Sequence, residues 1–173
     1  MDEPLSISEE NLTETGDTIQ MVGFWLGGEL FGVDILTVQE ILKQIPITRI
    51  PDAPDFIAGI INLRGRIIPI IDLRKRLKLK EAGQSIAEEG WTLILNAAGR
   101  VTGFIVDHVT RVLKLPAGTI QPPTETVASA LKRDYLSGVC MFEEQPMAIL
   151  DFNRIVAVDE FKRLGAQKRL QSK

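Results

Sequence analysis

Pro51-Asp-Ala-Pro-Asp-Phe-Ile-Ala-Gly-Ile-Ile-Asn-Leu-Arg-Gly-Arg-Ile-Ile-Pro-Ile-Ile-Asp-Leu-Arg-Lys-Arg-Leu77 is the stretch whose reading decides the fold. It divides at Arg64-Gly65. Gly59 to Leu63 enters a turn, and Arg66 to Ile71 leaves it, apolar at nearly every position. Such a run is a strand buried on both faces or a short buried helix. Pro69 forbids a helix interior and, lacking a ladder donor, confines the strand to an edge or a bulge. Asp72 ends the strand and is placed to N-cap a turn beginning Leu73-Arg-Lys-Arg. The stretch holds no nucleophile, metal-ligand set or phosphate loop. Its polar tip is Asn62-Leu-Arg-Gly-Arg66.

The 173 residues are enough to bury a core as one unit or as two small intertwined ones. The 45% hydrophobic and 25% charged content is that of an ordinary globular protein. A single cysteine, Cys140, excludes a disulfide framework and a thiolate metal site. With no secretory leader pattern and no apolar run near 18 residues, the expected location is cytoplasmic. Charge is unevenly spread. Residues 1–20 carry six acids and no base, residues 21–150 carry fourteen of each sign, and the chain from Asp151 carries six bases and three acids. The neutral body argues against non-specific nucleic-acid binding.

Residues 1–18 form a polar, acidic arm without period, the composition of a disordered segment. Strands are expected at Ile19 to Leu26 and Glu29 to Asp34 around Gly27-Gly28. Asp34 can cap one turn, Ile35-Leu36-Thr37, before a third strand near Val38 to Gln44, for which a helix is the competing reading. Pro46, Pro51 and Pro54 mark a loop into the central hairpin. Lys78 to Gly90 has the composition of a linker. Further strands are expected at Trp91 to Ala97, Arg100 to Val106 and Thr110 to Leu115. The last hairpin is Leu136 to Phe142 and Met147 to Leu150 around a turn at Glu143 to Pro146. Asp159 to Leu170 suits a basic terminal helix.

An internal repeat underlies this order. At an offset of 79 residues Gly59 meets Gly138, Ile61 meets Cys140, Ile70 meets Ile149, Asp72 meets Asp151 and Leu77 meets Val156. Upstream, Val33-Asp34…Val38-Gln-Glu-Ile-Leu echoes Val106-Asp107…Val109-Thr-Arg-Val-Leu113 with two residues deleted. Two copies of a small all-β barrel follow, about 19–80 and 91–156. The first tip carries Arg64 where the second carries Glu143, and function belongs where matched positions differ.

Residues 19–157 resemble the CheW chemotaxis coupling protein family. The matching features are Val38-Gln-Glu-Ile41, Pro-x-Ala-Pro at 51–54, Gly59-Ile-Ile-Asn-Leu-Arg-Gly65, Pro69-Ile-Ile-Asp-Leu73, Gly103-Phe-Ile-Val-Asp107 and Ile149-Leu-Asp151. The resemblance implies an all-β fold of two intertwined five-stranded SH3-like barrels, with short helical turns and a C-terminal helix in the basic tail, 158–173. It implies no catalysis and no cofactor. The implied role is a bridge between chemoreceptor tips and the regulatory domain of the histidine kinase CheA, at arrays beneath the inner membrane. The length leaves no room for kinase, phosphotransfer or receiver domains, as in a stand-alone adaptor. The acidic arm and basic tail leave open a parallel chemosensory system controlling pili or another output.

The resemblance assigns receptor contact to Val38, Glu40 and Arg64. Strand alternation would put Val38 and Glu40 on one face; the plainer alternative makes Val38 core and the charges solvated rim. Kinase contact is placed at Leu36 and Val109, with core filling as the alternative. Asp72 and Asp151 invite an acid/base pairing, but their equivalent places in different copies favour capping. His108 is expected in a loop, Cys140 in the core, and the basic run Arg74 to Lys80 on a solvated helix face and linker. That run, with interleaved leucines, is also what a nucleic-acid-binding small barrel could use, but no aromatic stacking platform accompanies it.

Overall fold

The computed structural model describes residues 17–43, 45–79, 90–123 and 135–156. The described chain forms β1 (Thr18–Leu26), β2 (Glu29–Asp34), β3 (Val38–Lys43), β4 (Ile57–Leu63), β5 (Arg66–Asp72), β6 (Trp91–Ala97), β7 (Arg100–Val106), β8 (His108–Pro116), β9 (Leu136–Phe142) and β10 (Gln145–Leu150). Short helices α1 (Leu73–Arg76) and α2 (Phe152–Val156) follow β5 and β10, and 3-10 turns occupy Ile35–Thr37 and Ala117–Thr119. Most of the expected arm and of the linker, and the basic terminal helix, lie outside the described residues; Thr18, expected in the arm, already opens β1.

Among the described residues four hairpins close on two residues with positive φ: Gly27-Gly28, Arg64-Gly65, Ala98-Gly99 and Glu143-Glu144. Such pairs match the right-handed twist of the strands they join. The last turn is shorter than the sequence suggests, with Pro146 already paired to Met141.

The strands build two sheets, ordered β8-β1-β2-β10-β9 and β3-β6-β7-β5-β4. Each closes on itself. Beyond β3 the chain returns at Thr48 to bond Ile60 of β4 (2.9 and 2.8 Å), and beyond β8 it returns at Gln121 to bond Val139 of β9 (both 2.8 Å). A glycine stands beside each closure. A Cβ at Gly59 would lie 2.2 Å from the Thr48 carbonyl oxygen, and one at Gly138 2.6 Å from Ile120 Cγ2. The glycine shared by the two copies is therefore needed for close approach.

The two repeat units are not the two barrels. Barrel II is built from β3, β4 and β5 of the first copy with β6 and β7 of the second; barrel I takes β8, β9 and β10 with β1 and β2. This corrects the boundaries 19–80 and 91–156: the copies exchange their first two strands. The exchange is sealed by parallel pairs, β2 with β10 and β5 with β7. It also corrects the placement of Pro69, since β5 lies between β4 and β7. The β7 ladder begins only at Ile70↔Gly103, so the proline stands just before it.

Among the described residues three apolar clusters result. Met21, Leu30, Leu113, Leu115, Cys140, Met147 and Ile149 fill barrel I, and Ile61, Ile68, Ile70, Ile94 and Ile105 fill barrel II. The largest cluster lies between the barrels and draws on both, with Phe24, Phe31, Phe104 and Phe152 at its centre. Equivalent bonds mark the pseudo-symmetry: Asp72 N donates to Phe56 O (2.7 Å) and Asp151 N to Tyr135 O (2.9 Å).

Two expectations fail here. Arg74 and Arg76 are buried, at 3% and 8% exposure, not spread on a solvated face. Arg74 approaches Asp107 at 4.0 Å, and Asp107 accepts from Gly27 N across the barrel interface (3.0 Å). His108 opens β8 opposite Trp25, so it is a strand residue, although exposed.

Candidate functional site

The tip of the β4–β5 hairpin is rigid for local reasons. Asn62 Oδ1 accepts from Gly65 N (2.9 Å), and the two-residue turn holds Arg64 at φ 53. From there the guanidinium reaches Glu40 on β3, with Nη2 donating to Oε1 at 3.1 Å and Nη1 to Oε2. This bidentate pairing holds the Glu40 carboxyl below its ordinary range and pushes Arg64 up, the hydrogen bonds contributing most in each case. Arg64 remains 70% exposed by side chain and Glu40 27%, so the pair presents an acid and a base to solvent together.

Val38 is half-buried and packs against the inter-barrel core. The expected shared face with Glu40 is not what forms. A register shift pairs Val38 with Leu95 and Glu40 with Ile94, adjacent β6 residues that point to opposite sides of the sheet. Glu40 and Arg64 are thus brought together, while Val38 stands beyond the bulge on the side of the barrel interface.

Leu36 is 89% exposed, at the crown of the turn that Asp34 caps through Leu36 N (2.9 Å). Core filling does not explain it. Val109 on β8 is half-buried against the same central cluster as Val38, its counterpart in the repeat. Leu36 lies two residues before Val38, so the groups separated by the sequence reading adjoin along the chain.

The structure adds a feature that residue-by-residue reading missed. In the second copy Arg111 replaces Glu40 and Glu143 replaces Arg64, and these also meet, Arg111 Nη2 to Glu143 Oε2 at 3.4 Å. The two barrels carry the same strand-to-tip ion pair with its charges reversed. The upstream and downstream repeat alignments, read together, contain this signal. Beside the pairs stand Ile41 and Val112, again counterparts, 39% and 43% exposed.

The capping aspartates behave alike. Asp72 Oδ1 accepts from Arg74 N and Lys75 N (3.1 and 3.4 Å), and Asp151 Oδ1 from Asn153 N (3.1 Å). Asp72 lines a cleft of 310 Å³ with Arg49, Asp55 and Lys75, but its acceptor is engaged by α1. Cys140 is buried, and burial pushes its thiol up. Among the described residues no three His, Cys, Asp or Glu side chains are grouped to hold a metal.

Comparison with known proteins bears on the fold and the family. The family profile described as CheW-like domain matches residues 20–160. A chemotaxis protein CheW from Klebsiella aerogenes is 41% identical over 147 residues, covering 84% of this chain and 87% of that one. One from Treponema pallidum is 34% identical over 164 residues, 94% and 92% of the two chains. The crystal structure of scaffolding protein TtCheW from Thermoanaerobacter tengcongensis superposes with a TM-score of 0.74 at 34% identity, covering 84% of this chain and 92% of that one.

Proposed function

The chain belongs to the CheW-like domain family and is a chemotaxis coupling adaptor between receptors and CheA, and from that premise we propose which surfaces do the coupling. The receptor tip docks on barrel II at the Glu40–Arg64 pair with Val38 beside it. The regulatory domain of CheA docks at Leu36 and around Val109. The adaptor acts as a scaffold without catalysis, at receptor arrays on the cytoplasmic side of the membrane. No helix among the described residues is long and apolar enough to cross a membrane.

The charge-reversed ion pairs carry this reading. A partner whose charges complement an acid on the strand and a base on the tip meets like charges at the same place on barrel I. Misplacing like charges across an interface is costly, so the two faces of one scaffold select different partners. Leu36 supplies the apolar contact that a folded monomer does not otherwise require.

The test is separate titration of Arg64→Glu and Val38→Met against a receptor signalling fragment and against the kinase regulatory domain. Arg64→Glu should weaken receptor binding at least tenfold, about 1.4 kcal/mol, and leave kinase affinity within about twofold. Val38→Met, which overfills a packed position, should weaken it less. Unchanged receptor affinity for Arg64→Glu removes the pair from the site, and equal loss of both affinities shows that the faces overlap.

A further inference from the structure

Neither binding face uses the buried cation on α1. Arg76 belongs to barrel II, yet all its partners but one are in barrel I. Nε and Nη2 both donate to Ile155 O on α2 (3.2 and 3.0 Å), and Nη1 donates to the Tyr135 hydroxyl (2.7 Å). The guanidinium carbon lies 5.1 Å from the ring centroid of Phe56 in barrel II and 5.0 Å from that of Tyr135 in barrel I. Phe56 and Tyr135 are counterparts in the repeat, and so are Arg76 and Ile155, each pair 79 residues apart. Arg76 therefore reaches across the axis relating the copies to its own counterpart. One copy carries the arginine and the other an isoleucine, so the contact is asymmetric at the centre of a nearly symmetric interface.

Stability alone gives little reason for this residue. No carboxylate among the described residues pairs with Arg76, and a buried cation pays a desolvation cost that an apolar side chain of similar length avoids. The interface already has a large apolar cluster. Apolar burial is non-directional, however, and tolerates small rotations of one barrel against the other. A planar fork whose fixed donors are bonded to Ile155 O and the Tyr135 hydroxyl, with a ring of each barrel beside it, does not. We propose that Arg76 is a positioning residue that fixes the angle between the barrels, and through it the relation of the receptor face to the kinase face. The second half of this statement rests on the function proposed above; the first does not.

Full-length protein with Arg76→Met, Arg76→Lys and Tyr135→Phe tests both halves. Backbone residual dipolar couplings of the wild type should fit one alignment tensor for both barrels. In Arg76→Met each barrel should still fit its own coordinates, while the tensors of the two diverge. Binary affinities for receptor fragment and kinase domain should stay within about twofold, and the yield of the three-component complex should fall about fivefold or more, the scale of a modest coupling free energy. Tyr135→Phe, which removes one hydroxyl and little packing, should show the same effects at smaller size, and it carries the test if Arg76→Met does not fold. A single tensor for both barrels of Arg76→Met, with undiminished ternary yield, overturns the proposal, and wild-type behaviour of Arg76→Lys overturns the role of the planar fork. If the wild type binds neither partner, the adaptor surfaces are wrong, while the couplings still decide what Arg76 does.

Discussion

Asp72 is the residue where opposing effects can be weighed. Burial raises its carboxyl above the ordinary 3.8, although the backbone amides of Lys75 and Arg74 pull it down; desolvation is the larger influence. A folded-state pKa above the unfolded one means that the folded protein binds the proton more tightly. Stability is then greatest below the unfolded value and falls as pH rises through the folded one. Asp72→Asn keeps an acceptor for α1 without a charge to desolvate, so thermal melts should show a flatter pH profile from about pH 4 upward. An unaltered slope would place the titration elsewhere. Asp72→Ala and Asp151→Ala instead lose caps, and each should cost about 0.5–2 kcal/mol in urea unfolding. Glu40 has the opposite sign: its lowered pKa favours the fold above the unfolded value, and that gain is lost as pH falls through the folded one. The caps were legible in the sequence because donor and acceptor lie within three residues. The burial of Arg74 and Arg76 was not, because it depends on Asp107, Tyr135 and Ile155, remote in sequence. A basic run looks solvated until its partners are known.

At the scale of elements, the turns were legible and the bulges were not. Gly-Gly, Arg-Gly and Ala-Gly announce two-residue hairpins because glycine tolerates positive φ. Glu143-Glu144 gives no such signal, and both residues are left-handed, at φ 51 and 65. A side chain held there costs roughly 1–2 kcal/mol. Glu144→Gly relieves that strain without touching the Arg111–Glu143 pair, though it also frees the unfolded chain. The balance should raise the urea midpoint by an amount equivalent to about 0.5–1 kcal/mol; a lower midpoint would show that Glu144 has a stabilising contact. The bulge between Val38 and Glu40 has no sequence signature at all. Alternation predicted one face for the two, and a single extra residue in β3 turned them apart. The composition of the candidate site was thus readable, but its geometry required the β6 register.

For the whole molecule, the repeat was visible in the sequence and the strand exchange was not. Swapping β1 and β2 with β6 and β7 leaves every hydrophobic pattern unchanged, since equivalent strands offer equivalent faces. The pattern therefore gives the copies without saying which copy completes which barrel. The exchange has a physical consequence. A fragment carrying residues 1–84 holds β1 to β5, but in the native arrangement β1 and β2 pair with β8 and β10, while β3 and β5 pair with β6 and β7. The other fragment, 85–173, lacks the converse partners. Neither can close a native barrel, and each exposes half of the inter-barrel cluster. Each fragment alone should therefore show poorly dispersed amide resonances. Mixed at equal concentration, they should regain the spectrum of the intact chain, with a melting temperature that rises with concentration, because association now supplies what chain connectivity did. If one fragment folds alone as a monomer with native chemical shifts, strand exchange is not what holds the barrels together. If it folds only as a dimer, the repeat is able to complete itself with a second copy, and the asymmetry at Arg76 and Ile155 is not enough to forbid it.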